Sequence, residues 1–283
     1  MTRYIIFLAV LVSVSYSQVR YKTNTYSWVT GIDDEYNNRT TSLSFGFTSN
    51  IGEIVYKHTP DFSQSVFIPE LQISYNDFYT FEENNPHNFL SYNGLKFFIG
   101  DINTHHKEGK LNPEGFRYGL GLTKGFGYNF DFLKIIPFNR SATIWQQYEI
   151  DVPGIDLSNT NIESRTYSGK NREAGVMFIF DYGVELDVSY SHTSFSSESN
   201  FGKSLVSGIL ELGSTRLLSY GLQELFSDSK LFPVIDFLAE FGLRTLFISL
   251  RRDKYFYPFA GKEDFTISTF NFGIKKSFNI NLF

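Results

Sequence analysis

The chain has 283 residues, including 31 Phe, 18 Tyr and 2 Trp, and it contains no cysteine, which excludes a disulfide scaffold, a thiolate metal site and a cysteine nucleophile. With 42% hydrophobic and 19% charged residues, it is too apolar for a disordered chain. A formal net charge of -5, without a block of Lys and Arg, argues against nucleic acid as a partner.

The first 17 residues have the pattern of an export signal. Arg3 gives a basic start, residues 4–14 are nearly all apolar, and Ser15 and Ser17 are the small residues that precede a cleavage site. The apolar run is shorter than the roughly 20 residues that a membrane-spanning helix needs. The sequence therefore predicts a cleaved signal peptide at residues 1–17, followed by one domain at residues 18–283. Export without cysteine suits a bacterial envelope.

Apolar and polar residues alternate along most of the remaining chain. In the clearest segment, residues 116–123, Phe, Tyr and Leu share one parity while Arg, Gly and Thr hold the other. This period of two predicts β-strands with one apolar and one polar face. Similar strands are predicted within residues 42–48, 70–76, 94–100, 176–190 and 270–282. A weaker strand has Ile144, Tyr148 and Ile150 on its apolar side.

The apolar face has two alternative surroundings. It fills the core of a soluble β-sandwich, or it faces lipid around a barrel whose polar face lines the interior. Bulky rings on the apolar parity, small residues on the polar parity and links of unequal length favour the barrel. We therefore predict an antiparallel transmembrane β-barrel of roughly ten to twelve strands. The alternative is a soluble exported β protein that binds an apolar ligand.

Residues 203–244 do not follow the strand pattern. Leu205, Ile209 and Leu212 have helical spacing, and Asp236, Glu240 and Arg244 fall on one helical face. A strand through residues 210–222 competes with this interpretation. We predict a helical insert with a solvated charge stripe, and it has three alternative positions: inside the lumen, at the membrane interface or on the periplasmic rim.

The chain resembles bacterial outer-membrane β-barrel proteins as a class. The resemblance rests on the signal at residues 1–17, on the alternating aromatic strands, and on a closing strand at residues 270–283 that ends in Phe283. It implies a location in the bacterial outer membrane, contact with outer-membrane lipid, and recognition of the closing strand by the outer-membrane assembly machinery.

One short motif points to an enzyme. His192 and Ser194 share the parity of Tyr190, so a base and a hydroxyl would face lipid together. The pair is similar to the His-x-Ser motif of outer-membrane phospholipases and lipid A deacylases. That resemblance implies Ser194 as the nucleophile and His192 as the general base of a lipid hydrolase.

Charged residues on the polar parity predict a second, non-enzymatic role. Inside a barrel such charges pair with one another or line a water-filled path. The predicted lumen-facing charges are Glu70, Lys96, Arg117, Glu149, Glu185, Asp187 and Lys275. We predict a transport, channel or structural envelope protein, with no enzyme activity assigned, no cofactor and no metal site; the lipid hydrolase is the alternative.

Overall fold

A computed structural model describes most of the chain after residue 35. The described residues are 36–56, 63–81, 88–104, 112–147, 149–151, 166–196, 210–211, 213–215, 217–219, 221–222, 225–226, 229–252 and 265–280. The predicted signal peptide at residues 1–17 and the terminal Phe283 lie outside them. The barrel and helices below belong to one compact unit, Asn37–Phe283.

Eight long strands form a closed antiparallel barrel. The eight long strands are β1 (Tyr36–Tyr56), β2 (Ser63–Phe81), β3 (Phe89–Thr104), β4 (Asn112–Phe130), β5 (Leu133–Gln147), β7 (Thr166–Phe180), β8 (Val184–Ser196) and β9 (Phe265–Ile280). A ninth strand, β6 (Glu149–Asp151), has three residues and pairs with β4. The sheet order is β3-β2-β1-β9-β8-β7-β5-β4-β6, and pairing of β3 with β4 closes the ring.

The prediction of an antiparallel barrel is confirmed, but the prediction of ten to twelve strands is wrong. That number assumed strands of about ten residues, whereas the eight long strands have 13 to 21 residues each. Longer strands use the same length of chain in fewer crossings.

The two faces of the strands have opposite character. On β9, Thr269, Asn271 and Lys275 are buried, while Phe270 and Phe272 are more than half exposed. The polar parity therefore lines the interior and the apolar parity forms the outer wall, which is the reverse of a soluble β-sandwich. One assignment was wrong: Ile144 of β5 is fully buried on the inner face.

The barrel has two different ends. At the turn end, β4 joins β5 through Asp131 and Phe132, and β7 joins β8 through residues 181–183, where Gly183 has a φ of 69°. A residue with a Cβ is strained at such a φ, so glycine suits this turn. The opposite end, called the link end, is where β1, β3, β5 and β8 end and where β2, β4, β7 and β9 begin.

The helical insert is present but differs from the prediction in position and extent. The helix α1 (Phe232–Arg252) continues past residue 244, and the described residues between 210 and 226 are helical, which overturns the competing strand. The insert contacts β4, β5 and β7 through side chains on their outer face, so it neither fills the lumen nor rests on a rim.

Within the described residues, no helix combines the length and the apolar character that crossing a membrane requires.

Gly119 lets the Phe98 ring and the backbone of β5 approach β4 closely on the inner face, which gives a test of the packing. A Cβ at this position would lie 2.3 Å from the Phe98 ring and 2.8 Å from the Thr143 carbonyl oxygen. We expect Gly119→Ala to lower the free energy of unfolding by about 1–3 kcal/mol because the lumen is overpacked. Equilibrium unfolding in urea measures this change.

The matched control is Gly242→Ala in α1, where an added Cβ meets no atom within 4 Å. This variant should be neutral or stabilising by up to about 1 kcal/mol, since alanine is the better helix former. Equal midpoints for Gly119→Ala and the parent would contradict the packing described here.

Candidate functional site

Besides the half-buried Lys134, the inner face of the described barrel holds eight charged side chains, and all eight are nearly inaccessible to solvent. Each has an exposed fraction of at most 8%. Four are cations and four are anions, so their formal charges cancel. They are Glu70, Lys96, Arg117, Arg140, Glu173, Glu185, Asp187 and Lys275.

Direct ion pairs account for most of these charges. Arg117 Nη2 lies 2.8 Å from Glu70 Oε1, and Arg140 Nη1 lies 2.6 Å from Glu173 Oε1. Lys275 Nζ lies 2.9 Å from Asp187 Oδ2 and 3.5 Å from Glu185 Oε2.

Lys96 makes a different contact, with its Nζ 5.3 Å from the centre of the Phe98 ring. The attraction of a cation to an aromatic face adds to its stabilisation.

Neutral polar side chains extend the Lys275 ion pairs into a hydrogen-bonded network. Ser44 donates a hydrogen bond of 2.6 Å to Glu185, and Asn76 donates one of 2.6 Å to Ser44. The Tyr92 hydroxyl donates to the Asn76 side-chain oxygen at 2.9 Å. Such a network holds the buried charges in fixed positions, because each lost partner would leave a polar group without compensation.

Apolar side chains fill the interior on both sides of this network. The link-end cluster consists of Ile54, Tyr56, Val66, Ile68, Phe98, Ile102, Ala142, Ile144, Tyr167, Phe195, Phe265 and Ile267. The turn-end cluster consists of Phe78, Leu90, Tyr92, Ile136, Phe138, Met177 and Ile179. Along β2, β3, β5 and β7 the charged residues lie between members of the two clusters, so the described lumen is filled with side chains.

The structure places the sequence-predicted charges as follows. Glu70, Lys96, Arg117, Glu185, Asp187 and Lys275 lie in the buried network. The side chain of Glu149 lies outside the described residues.

Sequence reasoning missed Arg140 and Glu173. Arg140 shares parity with Phe138, Ala142 and Ile144, so its face looked apolar. The sequence did contain a signal for Arg140. An arginine that shares one strand face with apolar residues requires a buried partner if that face is internal.

The candidate catalytic pair lies on the outer wall. His192 Nδ1 is 2.9 Å from the hydroxyl of Ser268 on β9, which faces it across the two strands. Ser194 lies opposite Thr266 in the same register. The structure therefore brings His192 to a serine that the sequence did not single out.

A second polar region interrupts the outer wall. It consists of Lys124 on β4, Asn139 and Ser141 on β5, and Arg172 on β7, and is called the outer stripe. In the strand register, Asn139 lies opposite Lys124 and Arg172 lies opposite Ser141. The four residues are therefore adjacent on one side of the barrel.

Helical residues cover the outer stripe. Asn139 donates a hydrogen bond of 3.1 Å to Glu240, Lys124 donates one of 3.2 Å to Ser219, and Arg172 pairs with Glu211 at 2.5 Å. Asp236 and Glu240 are each 3% exposed. The predicted solvated charge stripe is thus wrong, because the charges of α1 face the barrel wall.

No protein-family model and no curated protein sequence matches this chain. Among solved structures, it is similar to Neisserial surface protein A, with a TM-score of 0.40 and 10% identity over 86% of this chain and 100% of that chain. It is also similar to Ail, the attachment invasion locus protein of Yersinia pestis, with a TM-score of 0.33 and 12% identity over the same shares.

The Lys275 ion pairs give a test of the buried network. Lys275→Met leaves Glu185 and Asp187 buried without their cation, so the free energy of unfolding should fall by about 3–5 kcal/mol. Adding Glu185→Gln and Asp187→Asn removes the stranded charges and should restore part of that loss. Urea unfolding of the single and triple variants measures both effects.

Lys276→Met is the matched control, since Lys276 is the exposed neighbour on the outer face. Its cost should not exceed about 1 kcal/mol, as is usual for an exposed charge. A loss at Lys275 no larger than at Lys276 would show that the inner charges do not depend on each other.

Proposed function

We propose that the protein is a bacterial outer-membrane β-barrel with a closed lumen and a structural role in the envelope. The observation that carries this proposal is an apolar belt of exposed large side chains on the outer wall of six strands, β1, β2, β3, β4, β8 and β9. Examples are Phe47, Leu71, Phe97, Leu122, Val188 and Phe272, with exposed fractions between 38% and 63%.

Lipid is the surrounding that matches the belt. A soluble monomer rarely exposes a continuous apolar patch larger than a few hundred Å², whereas this belt recurs around most of the barrel. A strand needs roughly 9–11 residues to cross a bilayer, and each of the eight long strands exceeds that length. A closed ring also leaves no strand edge unpaired in the hydrocarbon.

The filled interior favours a structural role over an open channel. Eight-stranded barrels have interiors just wide enough for side chains. Here two apolar clusters and a charge-balanced network occupy that space. A selective water-filled path instead requires charges that face solvent.

The remaining elements of the proposal come from the sequence. They are export by a signal peptide cleaved after residue 17, contact with outer-membrane lipid, and recognition of the closing strand by the assembly machinery. The exposed apolar residues of β9, including Phe270 and Phe278, provide the surface that such recognition needs.

Membrane location is tested by cell fractionation and gel mobility. We expect the protein in the outer-membrane fraction, with one electrophoretic mobility before boiling and another after it, because a closed barrel resists unfolding in detergent. Recovery of a folded monomer from aqueous buffer without detergent would contradict the proposal.

Lumen closure is tested by conductance in planar bilayers. The folded protein should give no stepwise current, since side chains block the path for ions. Insertion is verified beforehand by gel mobility of the reconstituted sample. Reproducible single-channel steps from protein verified in this way would replace the structural role with a channel.

The His192–Ser268 contact favours a second candidate function, a lipid hydrolase. A histidine ring nitrogen within hydrogen-bonding distance of a serine hydroxyl is the arrangement that activates a nucleophile. Both residues belong to the outer wall, where the substrate would be an outer-membrane lipid.

Fatty-acid release from outer-membrane lipid tests the hydrolase. If the parent releases fatty acid, Ser268→Ala should abolish release, and Ser194→Ala is the control that should retain it. Loss only with Ser194→Ala would assign the nucleophile to the His-x-Ser motif instead. A folded parent without release rules out this candidate.

A further inference from the structure

We propose that the helical insert is part of the lipid-facing wall. Its charged face covers the outer stripe of Lys124, Asn139, Ser141 and Arg172, and its apolar face contacts acyl chains. This inference rests on the proposed membrane location and goes beyond it by assigning a position and a lipid contact to an element that is not a strand.

The outer stripe lies within the apolar belt and not beyond it. Ser141 of β5 pairs directly with Leu122 of β4, which is 59% exposed and belongs to the belt. Lys124 is two residues from Leu122 on the same face, towards the turn end. Without a cover, a lysine and an arginine would therefore face the hydrocarbon, which is costly at membrane depth.

The belt is weakest where the insert lies. In the described residues, the large apolar side chains on the outer faces of β5 and β7, such as Ile135, Val176 and Phe178, are half-buried, whereas the other six long strands carry exposed ones. The insert contacts these two strands through Asn139, Ser141 and Arg172. The insert thus lies over the part of the wall, β5 and β7, where the strands expose the least apolar surface.

The charges at this contact balance locally. The outer stripe contributes Lys124 and Arg172, and the insert contributes Glu211, Glu240 and Arg244. Arg244 lies 3.6 Å from Glu240 and 3.8 Å from Glu211, and Lys124 lies 3.8 Å from Glu240. The remaining acidic group on this face is Asp236, which is 3% exposed. Three cations therefore meet three acidic groups between helix and wall.

The opposite face of α1 is apolar and exposed. Val234, Leu238 and Phe241 follow helical spacing, and Leu238 is 58% exposed. An amphipathic helix on a soluble protein turns its apolar face towards the protein, but α1 turns it away. The apolar residues of this face point outward from the barrel, as the belt residues do, and acyl chains are the surroundings that suit both; Phe232 and Phe247 of α1 are buried instead.

An aromatic contact fixes the start of α1 near the turn end. The Phe232 ring lies 5.3 Å from that of Phe126 and 6.3 Å from that of Phe89. The Tyr128 hydroxyl donates a hydrogen bond of 2.6 Å to the carbonyl oxygen of Lys230. From there α1 runs along the wall towards the link end, through Glu240 beside Asn139 and Arg244 beside Ser141.

The absence of native cysteine permits a direct test by spin labelling. Leu238→Cys places a nitroxide on the apolar face of α1. Phe272→Cys places one on the belt, and Tyr182→Cys places one in the exposed turn between β7 and β8. In phospholipid vesicles, collision with oxygen reports lipid exposure, and collision with a water-soluble nickel chelate reports water exposure.

We expect the ratio of oxygen to nickel accessibility at position 238 to match that at position 272 and to exceed that at position 182 several-fold. A lipid-like label at position 272 with a water-like label at position 238 would overturn this inference and leave the membrane location intact. A water-like label at position 272 would overturn the membrane location, and the inference with it.

A charge exchange between the outer stripe and the insert tests whether their ion pairs hold the insert against the wall. Arg172→Glu places a carboxylate against Glu211, so the nitroxide at position 238 should become more mobile and more exposed to nickel. Adding Glu211→Arg should restore the parent values. Unchanged values in Arg172→Glu, with the barrel shown to be folded by gel mobility, would overturn the role of the outer stripe as the attachment of the insert.

Discussion

Polar groups that are removed from water must find their partners within the protein, and this constraint organises the whole molecule. The backbone meets it by ring closure, because pairing of β3 with β4 and of β1 with β9 leaves no edge in the eight-stranded sheet. The side chains meet it in the lumen, where four cations and four anions are buried together. The middle of the interior is therefore polar, and apolar clusters fill the interior on both sides of it.

The same constraint explains the unusual orientation of the helical insert. The outer wall at β5 and β7 carries Asn139, Ser141 and Arg172, which are polar groups on an otherwise apolar surface. The insert supplies Glu211, Glu240 and Arg244. Its apolar side is then left facing outward, in line with the belt. In the lumen and at the outer wall alike, buried charges lie against opposite charges. The apolar side chains of the belt and of α1 are left on the outer surface.

The barrel could be predicted from the sequence because residues 116–123 of β4 and residues 270–275 of β9 alternate between apolar and polar side chains. The strand number could not, because alternation gives the direction of side chains and does not mark where a strand ends. Arg140 was missed since Phe138 and Ile144 on the same face are apolar, and only the closed barrel shows that this face is internal. The charges of α1 were correctly placed on one helical face, but periodicity does not tell whether that face meets water or a polar strand surface. Ser268 became a candidate only through the pairing of β8 with β9.

The connection between β8 and β9 has a consequence for assembly. Phe195 and Phe265 are paired, so β8 ends and β9 begins at neighbouring positions of the barrel. β9 also pairs with β1, which makes it the strand that completes the ring. The chain must therefore traverse the entire insert before the first and last described strands can meet, a contact between residues far apart in sequence. Ring completion is then expected to be the slow event of folding.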